Sequence, residues 1–225
     1  MKIKKRLDVL LTERKLAENR TKAQAIIMSG IVYVDGQKAD KPGVSYEETV
    51  DIEVRGAACP YVSRGGLKLE KALRDFGVKP EGYVCSDSGA STGGFTDCLL
   101  QHGAVKVHAI DVGTNQLVWK LRQDPRVVVK EKFNARYMTP EDIGEQVDLI
   151  VSDVSFISLK KILPAAFPLL KDGGDALVLI KPQFELQPED IGPGGIVRDP
   201  VLHQRAVDSI RAFVTEELNR SWMGC

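Results

Sequence analysis

From Tyr83 onward, the chain alternates between short apolar runs and amphipathic stretches. The apolar runs predict β-strands at 83–87, 106–111, 126–130, 147–152 and 175–181. Apolar side chains at helical spacing predict helices at 94–102, 115–123, 159–170 and 201–219. This alternation is typical of an α/β fold in which helices cover both faces of a parallel sheet. Ligands bind beyond the carboxyl ends of such strands, so we expect the functional residues there.

The residues before Tyr83 follow a different pattern. They predict helices at 7–16, 22–29 and 64–76 and strands at 31–34 and 50–54. Asn19 or Thr21 can cap the second helix, and Asp35-Gly36 predicts a type I′ hairpin turn. Two short helices followed by a hairpin sheet predict a small α+β domain ahead of the α/β domain.

The length of 225 residues fits two such domains. We place the small domain at 1–58, a linker at 59–62 and the α/β domain at 63–225. Lys and Arg together number 31, as do Asp and Glu, so no global charge attracts nucleic acid. The first 22 residues are an exception, with eight basic residues against three acidic ones. Nucleic acid, if it binds, is expected at this local basic patch.

Several classes of protein are disfavoured. The four cysteines show neither CxxC spacing nor a nearby histidine cluster, so no metal site is predicted. The sequence shows no signal-peptide pattern. No apolar run approaches the roughly 18 residues of a membrane-spanning helix. We therefore expect a cytoplasmic protein without membrane contact, and the sequence does not predict its oligomeric state.

The strongest chemical signal is DSGASTGGFTD, residues 87–97, between a predicted strand and a predicted helix. Its glycines allow positive φ and close approach of the backbone to a ligand, as in a nucleotide cradle. The turn lacks the GxGxxG and GK[ST] patterns of NAD and phosphate-binding sites. Taken alone, it is equally typical of a tight turn that packs a helix on a sheet.

Two aspartates refine this prediction. Asp111 ends the next apolar run, at the separation that places a carboxylate near ribose hydroxyls. Asp87, at the head of the turn, would repel a pyrophosphate but could pair with an ammonium group. We therefore predict a nucleoside cofactor without phosphates, such as S-adenosylmethionine.

A second pair of charges ends the last two strands. Asp153 follows the run at 147–152, and Lys181 follows five apolar residues. An unpaired buried lysine is highly unfavourable, so Lys181 must reach solvent or a carboxylate. Adjacent strand ends would bring it to Asp153, either as a structural ion pair or as part of an active site.

The segment RTKAQAIIMSGIVYVDGQKADKPGVSYEETVDIEV resembles the S4 RNA-binding domain, with a match from residue 3 to about 57. The resemblance implies a helical face that binds RNA phosphates without reading sequence. We assign the RNA-binding role to Arg6, Arg14, Lys15, Arg20, Lys22 and Arg64. The alternative for these residues is an ordinary solvated charged surface.

The motifs SRGGLKL, DSGASTGGFTD, AIDVG, VSDVSFISL and LIKPQFE together resemble the TlyA, or haemolysin A, family. The resemblance covers residues 3 to about 218. It implies an S4 domain joined to an FtsJ-like, Rossmann-like class I S-adenosylmethionine methyltransferase domain. The implied reaction is methyl transfer to a ribose 2′-hydroxyl of ribosomal RNA, at a cytidine, with ribosomal RNA or ribosomal subunits as partners.

The family's Lys-Asp-Lys-Glu tetrad is matched here by Lys68, Asp153 and Lys181. By this resemblance, Lys181 would take the hydroxyl proton or stabilise the alkoxide, Lys68 would be its electrostatic neighbour, and Asp153 would orient both. The residues implied to hold the methionine end of the cofactor are Asp87, Gly89, Ala90, Ser91, Gly93, Gly94 and Phe95. Those implied at its ribose and adenine are Asp111, Val112, Phe133 and Asn134.

The tetrad glutamate has no match. In the family it lies in a strand region beyond the last helix, whereas Glu216 and Glu217 lie within the predicted helix. The resemblance therefore predicts a methyltransferase domain without its last strands, which binds S-adenosylmethionine but turns over weakly or not at all. Two alternatives stay open: a non-catalytic RNA-binding protein with a methyltransferase-like scaffold, and a haemolysin, as the family name suggests.

Overall fold

The computed structural model describes residues 4–55 and 59–225. Residues 1–3 and 56–58, which belong to the predicted first domain, lie outside this range. The chain divides into two compact units, the first ending at Arg64 and the second beginning at Gly65.

The first unit combines two helices with two small antiparallel sheets. Its elements are β1 (Lys4–Arg6), α1 (Leu7–Glu13), α2 (Arg20–Met28), β2 (Val32–Val34), β3 (Gln37–Lys38), β4 (Ser45–Glu47) and β5 (Ile52–Val54). The sheets have the orders β1-β4 and β3-β2-β5. Its core is made of apolar side chains from both helices and from β2 and β5, among them Leu7, Leu11, Ala23, Ile27, Val32 and Ile52.

Local signals in this unit are confirmed. Asp35 and Gly36 have φ of 48° and 76°, as a type I′ turn requires, and they join β2 to β3. Strand β3 was not predicted, because two polar residues give no periodicity. Asn19, rather than Thr21, caps α2, since its Oδ1 accepts the N–H of Lys22 at 2.9 Å.

The second unit is the predicted α/β domain. Its strands are β6 (Val84–Ser88), β7 (Lys106–Ile110), β8 (Val127–Lys130), β9 (Val147–Ser152) and β10 (Leu170–Val178). Its helices are α3 (Gly65–Phe76), α4 (Gly94–Gln101), α5 (Trp119–Arg122), α6 (Pro140–Ile143), α7 (Leu163–Ala166), α8 (Pro182–Glu185) and α9 (Pro200–Ala212). The five strands are parallel, in the order β10-β9-β6-β7-β8. The chain leaves β6 toward β7 and returns to β9 on its other side, and such a reversal opens a crevice at the carboxyl ends of β6 and β9.

Three predicted elements were wrong in their bounds. The helix predicted at 159–170 is three short turns, because Pro164 and Pro168 lack the N–H that would continue a helix. The helix predicted at 115–123 shrinks to α5, and Asn115 has a φ of 55°, outside the helical region. Strand β10 ends at Val178, three residues before the predicted end. Lys181 therefore lies in the segment after the strand.

Candidate active site

The glycine-rich turn lies at the carboxyl end of β6, against the end of β9. Gly89 has a φ of 86°, and a Cβ there would lie 3.2 Å from the backbone N and Cα of Val154. Only glycine combines this φ with so close a backbone approach. The turn thus packs the carboxyl ends of β6 and β9 together. Asp153, the residue after β9, lies directly beside it.

Asp87 is fully buried beneath this turn. Its Oδ2 accepts a hydrogen bond from the Thr96 hydroxyl at 2.7 Å, whereas its Oδ1 has no partner among the described residues. Burial raises the pKa of the Asp87 carboxyl to about 7, against the lowering effect of the Thr96 hydrogen bond. A buried carboxylate with one free oxygen is suited to bind a cationic group. The site therefore fits the ammonium end of S-adenosylmethionine.

Asp111, the residue after β7, hydrogen-bonds to the same turn. Its two carboxylate oxygens accept the backbone N–H of Ser91 at 2.8 Å and of Gly113 at 2.7 Å. Ser91 has a φ of 48°, which the bond to Asp111 helps to hold. Each oxygen retains a further lone pair, so Asp111 both closes the turn and can still accept from a hydroxyl.

The other predicted cofactor residues fall into two groups. Those of the turn and the start of α4 are buried: Ala90, Gly93, Gly94 and Phe95. The rest lie after β7 and β8. Val112 is 69% exposed, the Phe133 ring lies under the Lys130 ammonium, and the Asn134 side chain accepts the N–H of Arg136.

Lys68, Asp153 and Lys181 come together from three separate parts of the chain. The Nζ of Lys68, on α3, lies 3.0 Å from Asp153 Oδ2, and the Nζ of Lys181 lies 2.6 Å from Asp153 Oδ1. The carboxylate thus lies between two ammonium groups, and the predicted pairing is confirmed. No ion pair joins either lysine to a glutamate in the described part of the chain.

Lys181 has further partners. Its ammonium also donates to the backbone oxygen of Asp153 at 3.2 Å and to the Ser155 hydroxyl at 2.7 Å. These hydrogen bonds use two of the three N–H donors of the lysine, whereas Asp153 Oδ1 is an ion-pair partner without a hydrogen bond among the described residues. The exposed Ser155 is the more accessible of the two acceptors, so a substrate hydroxyl can take its place.

Three residues that contribute to the site were not predicted from the sequence. Thr96 holds Asp87, Ser155 holds Lys181, and Glu185 joins the segments after β9 and β10 by accepting from the Ser158 hydroxyl at 2.5 Å and the Leu159 N–H at 2.8 Å. Thr96 was recognisable, because the first turn of a helix after a strand faces back toward the strand end. The other two depend on tertiary contacts that no local pattern encodes.

In the first unit, the predicted RNA-binding residues are partly brought together. Arg6 and Arg20 both bind the carboxylate of Asp8. Arg14 instead donates to the backbone oxygens of Glu48 and Val50, inside its own unit. The remaining three are exposed side chains: Lys15, Lys22 and Arg64.

Across residues 4–55 and 59–225, no helix is both long and apolar enough to cross a bilayer. Within the same ranges, no three His, Cys, Asp or Glu side chains are grouped to hold a metal ion.

Comparison with known proteins yields two family matches: FtsJ-like methyltransferase over residues 61–221 and S4 domain over residues 5–50. A Bacillus subtilis protein, provisionally named rRNA methyltransferase YqxC, is 52% identical over 95% of this chain and 76% of its own length. The Mycobacterium tuberculosis 16S/23S rRNA (cytidine-2'-O)-methyltransferase TlyA is 48% identical over 90% of this chain and 76% of its own length. A solved structure from Streptococcus thermophilus, provisionally named a hemolysin, has a TM-score of 0.73 and 46% identity, covering 96% of this chain and 79% of that one.

Proposed function

Because the chain belongs to the FtsJ-like methyltransferase family and carries an S4 domain, we propose that it methylates ribose 2′-hydroxyls of ribosomal RNA with S-adenosylmethionine as methyl donor. The M. tuberculosis relative is named for cytidine 2′-O-methylation, so a cytidine is the proposed target. The observation that carries the proposal is the Lys68–Asp153–Lys181 group beside the buried Asp87.

The residues of the turn fit the cofactor. Asp87 offers an unpartnered buried oxygen to the ammonium group, and Asp111 offers its remaining lone pairs to the ribose hydroxyls. The glycines of the turn let the backbone approach the ligand closely. When bound, S-adenosylmethionine supplies a methyl group on a sulfonium, which an oxygen nucleophile attacks.

The lysines act on the nucleophile. A ribose hydroxyl is weakly nucleophilic, and its oxygen gains negative charge as the proton leaves. In our mechanism this oxygen replaces Ser155 as a partner of Lys181, its proton passes to water, and the ammonium stabilises the developing charge. Lys68 adds a second positive charge, while Asp153 holds both lysines in place.

Transfer of labelled methyl groups from S-adenosylmethionine to ribosomal RNA tests this function. We expect 2′-O-methylated nucleotides in the product and a rate lowered about 100-fold or more by Lys181→Ala. Lys171→Ala is the matched control, because Lys171 lies on β10, the strand that precedes Lys181, and pairs with Asp148 on β9. It should leave the rate of transfer unchanged.

Two results would contradict the proposal. If Lys181→Ala transferred methyl groups as fast as the parent chain, Lys181 would have no part in the reaction. If the parent chain bound both S-adenosylmethionine and RNA yet transferred nothing, the non-catalytic scaffold would be the better account of this chain.

A further inference from the structure

A buried carboxylate organises the basic patch of the first unit. Asp8, in the first turn of α1, is fully buried. Its Oδ1 accepts Nε of Arg6 at 3.0 Å, and its Oδ2 accepts Nη2 of Arg6 at 2.8 Å. The same Oδ2 accepts Nε of Arg20 at 3.0 Å and the Gln24 amide at 2.8 Å. The carboxylate thus joins the end of β1 to α2 through charged hydrogen bonds.

The two arginines retain much of their capacity to bind something else. Their side chains are 45% and 57% exposed, although they are anchored at a site that is 0% exposed. An arginine has five N–H donors, and Asp8 takes two from Arg6 and one from Arg20. The group as a whole keeps a net positive charge, since two guanidinium groups share one carboxylate.

These contacts restrict how the arginines move. The bond of Arg6 to both carboxylate oxygens is a planar fork, which fixes the orientation of the guanidinium as well as its position. Arg20 is held at Nε, which leaves both of its terminal nitrogens for another acceptor. Side chains fixed before binding lose less conformational entropy when they bind.

We infer that Asp8 is a positioning residue that holds Arg6 and Arg20 as a paired clamp for backbone phosphates of RNA. Guanidinium groups match phosphate geometry, and phosphate contacts set the register of an RNA on a protein without reading its sequence. This inference rests on the proposed RNA substrate. It adds to the basic RNA-binding surface an acidic residue, Asp8, that does not itself contact the RNA.

The sign of one substitution separates positioning from simple charge attraction. Asp8→Asn removes a negative charge and, by attraction alone, would tighten RNA binding. If Asp8 positions the arginines, the same substitution weakens binding, because the neutral amide cannot hold both guanidinium groups. Glu18→Gln is the matched control, because Glu18 is exposed and its substitution removes one negative charge, as Asp8→Asn does.

The experiment uses the full chain and a 20-nucleotide RNA stem-loop of arbitrary sequence, with fluorescence anisotropy over a range of salt. We expect Asp8→Asn to weaken binding about 10-fold and to lower the slope of log K against log salt by about 1, as for the loss of one phosphate contact. Glu18→Gln should bind as tightly as the parent chain or slightly more tightly. Circular dichroism establishes that each variant is folded.

Arg6→Lys gives a second test if Asp8→Asn does not fold. It keeps the charge but cannot form the fork to Asp8, and we expect weaker binding than for the control Arg55→Lys, the same substitution at an exposed arginine of this unit that pairs with Glu53. Folded Asp8→Asn or Arg6→Lys variants with undiminished affinity would overturn the inference while leaving the RNA substrate in place. A parent chain that does not bind the stem-loop would overturn the inference together with the role of the S4 domain in RNA binding.

Discussion

Each unit of the protein contains a fully buried aspartate, and the two have opposite surroundings. Asp8 receives four hydrogen bonds, three of them from guanidinium groups. Asp87 receives one side-chain hydrogen bond, from Thr96, and its Oδ1 has no partner within the described ranges. The pKa of the Asp8 carboxyl is accordingly held far below its usual value, chiefly by Arg6, whereas burial raises the pKa of Asp87 to about 7.

This difference separates two uses of a buried charge. A carboxylate that the fold itself supplies with cationic donors stabilises and orients its neighbours. A carboxylate left without them destabilises the free protein and is ready for a cationic ligand. We therefore interpret Asp8 as part of the architecture of the RNA-binding surface and Asp87 as the anchor of the cofactor.

The largest expected difference between the two aspartates is in stability. Asp8→Ala leaves Arg6 and Arg20 without their shared carboxylate, and it should lower the free energy of unfolding of the first unit by about 3 kcal/mol. Asp87→Ala removes an unsatisfied charge and should change stability far less. Urea denaturation measures both, with Glu18→Ala as an exposed control. An equal fall in the free energy of unfolding for Asp8→Ala and Asp87→Ala would contradict this difference between the two aspartates.

The pH dependence of stability should also differ in sign. Between the usual value of 3.8 and about 7, the folded protein keeps a proton on Asp87 that the unfolded chain has released. This group therefore lowers stability as pH rises through that window, by at most about 1.4 kcal/mol per pH unit. Asp8 has a lowered pKa, so its contribution is present above 3.8 and is lost only at lower pH.

Denaturation of the ligand-free chain and of Asp87→Asn at several pH values from 4 to 8 measures the Asp87 effect. The difference between the two curves should grow as pH rises, because the amide carries no charge to desolvate. A difference that stays constant with pH would show that Asp87 titrates normally.

The smallest effect is expected at Thr96. Thr96→Val keeps the shape of the side chain but removes the hydrogen bond that favours the ionised Asp87. We expect the affinity for S-adenosylmethionine to fall about 3-fold to 10-fold, in line with about 1 kcal/mol for one hydrogen bond. The loss should be smaller at pH 8.5 than at pH 7, where more of the variant's Asp87 is protonated. An unchanged affinity at both pH values would remove Thr96 from the site.

The sequence predicted these two regions unequally. The apolar strands predicted the parallel sheet, and the positions of Asp87 and Asp153 at the carboxyl ends of two strands predicted which edge carries the candidate site. The pairing of Asp153 with Lys181 followed from adjacent strand ends. Local patterns contain that information, because parallel strands place all their carboxyl ends at one edge.

The rest depended on tertiary contacts. Asp8 was counted only as one acid within a basic segment, since nothing local shows that α2 brings Arg20 and Gln24 to it. The interrupted helix after β9 was missed because its apolar spacing outweighed Pro164 and Pro168. Periodicity reports which face is buried and does not report which polar groups meet there.

Calorimetric titration of S-adenosylmethionine into the parent chain and into Asp87→Asn tests the central claim most directly. We expect binding by the parent chain that is stronger at pH 8 than at pH 6, and an affinity about 100-fold lower for Asp87→Asn at pH 8. Asp172→Asn, at an exposed aspartate of β10, should bind as the parent does. A folded Asp87→Asn variant that binds S-adenosylmethionine as tightly as the parent at both pH values would contradict the assignment of Asp87 as the cofactor's anchor.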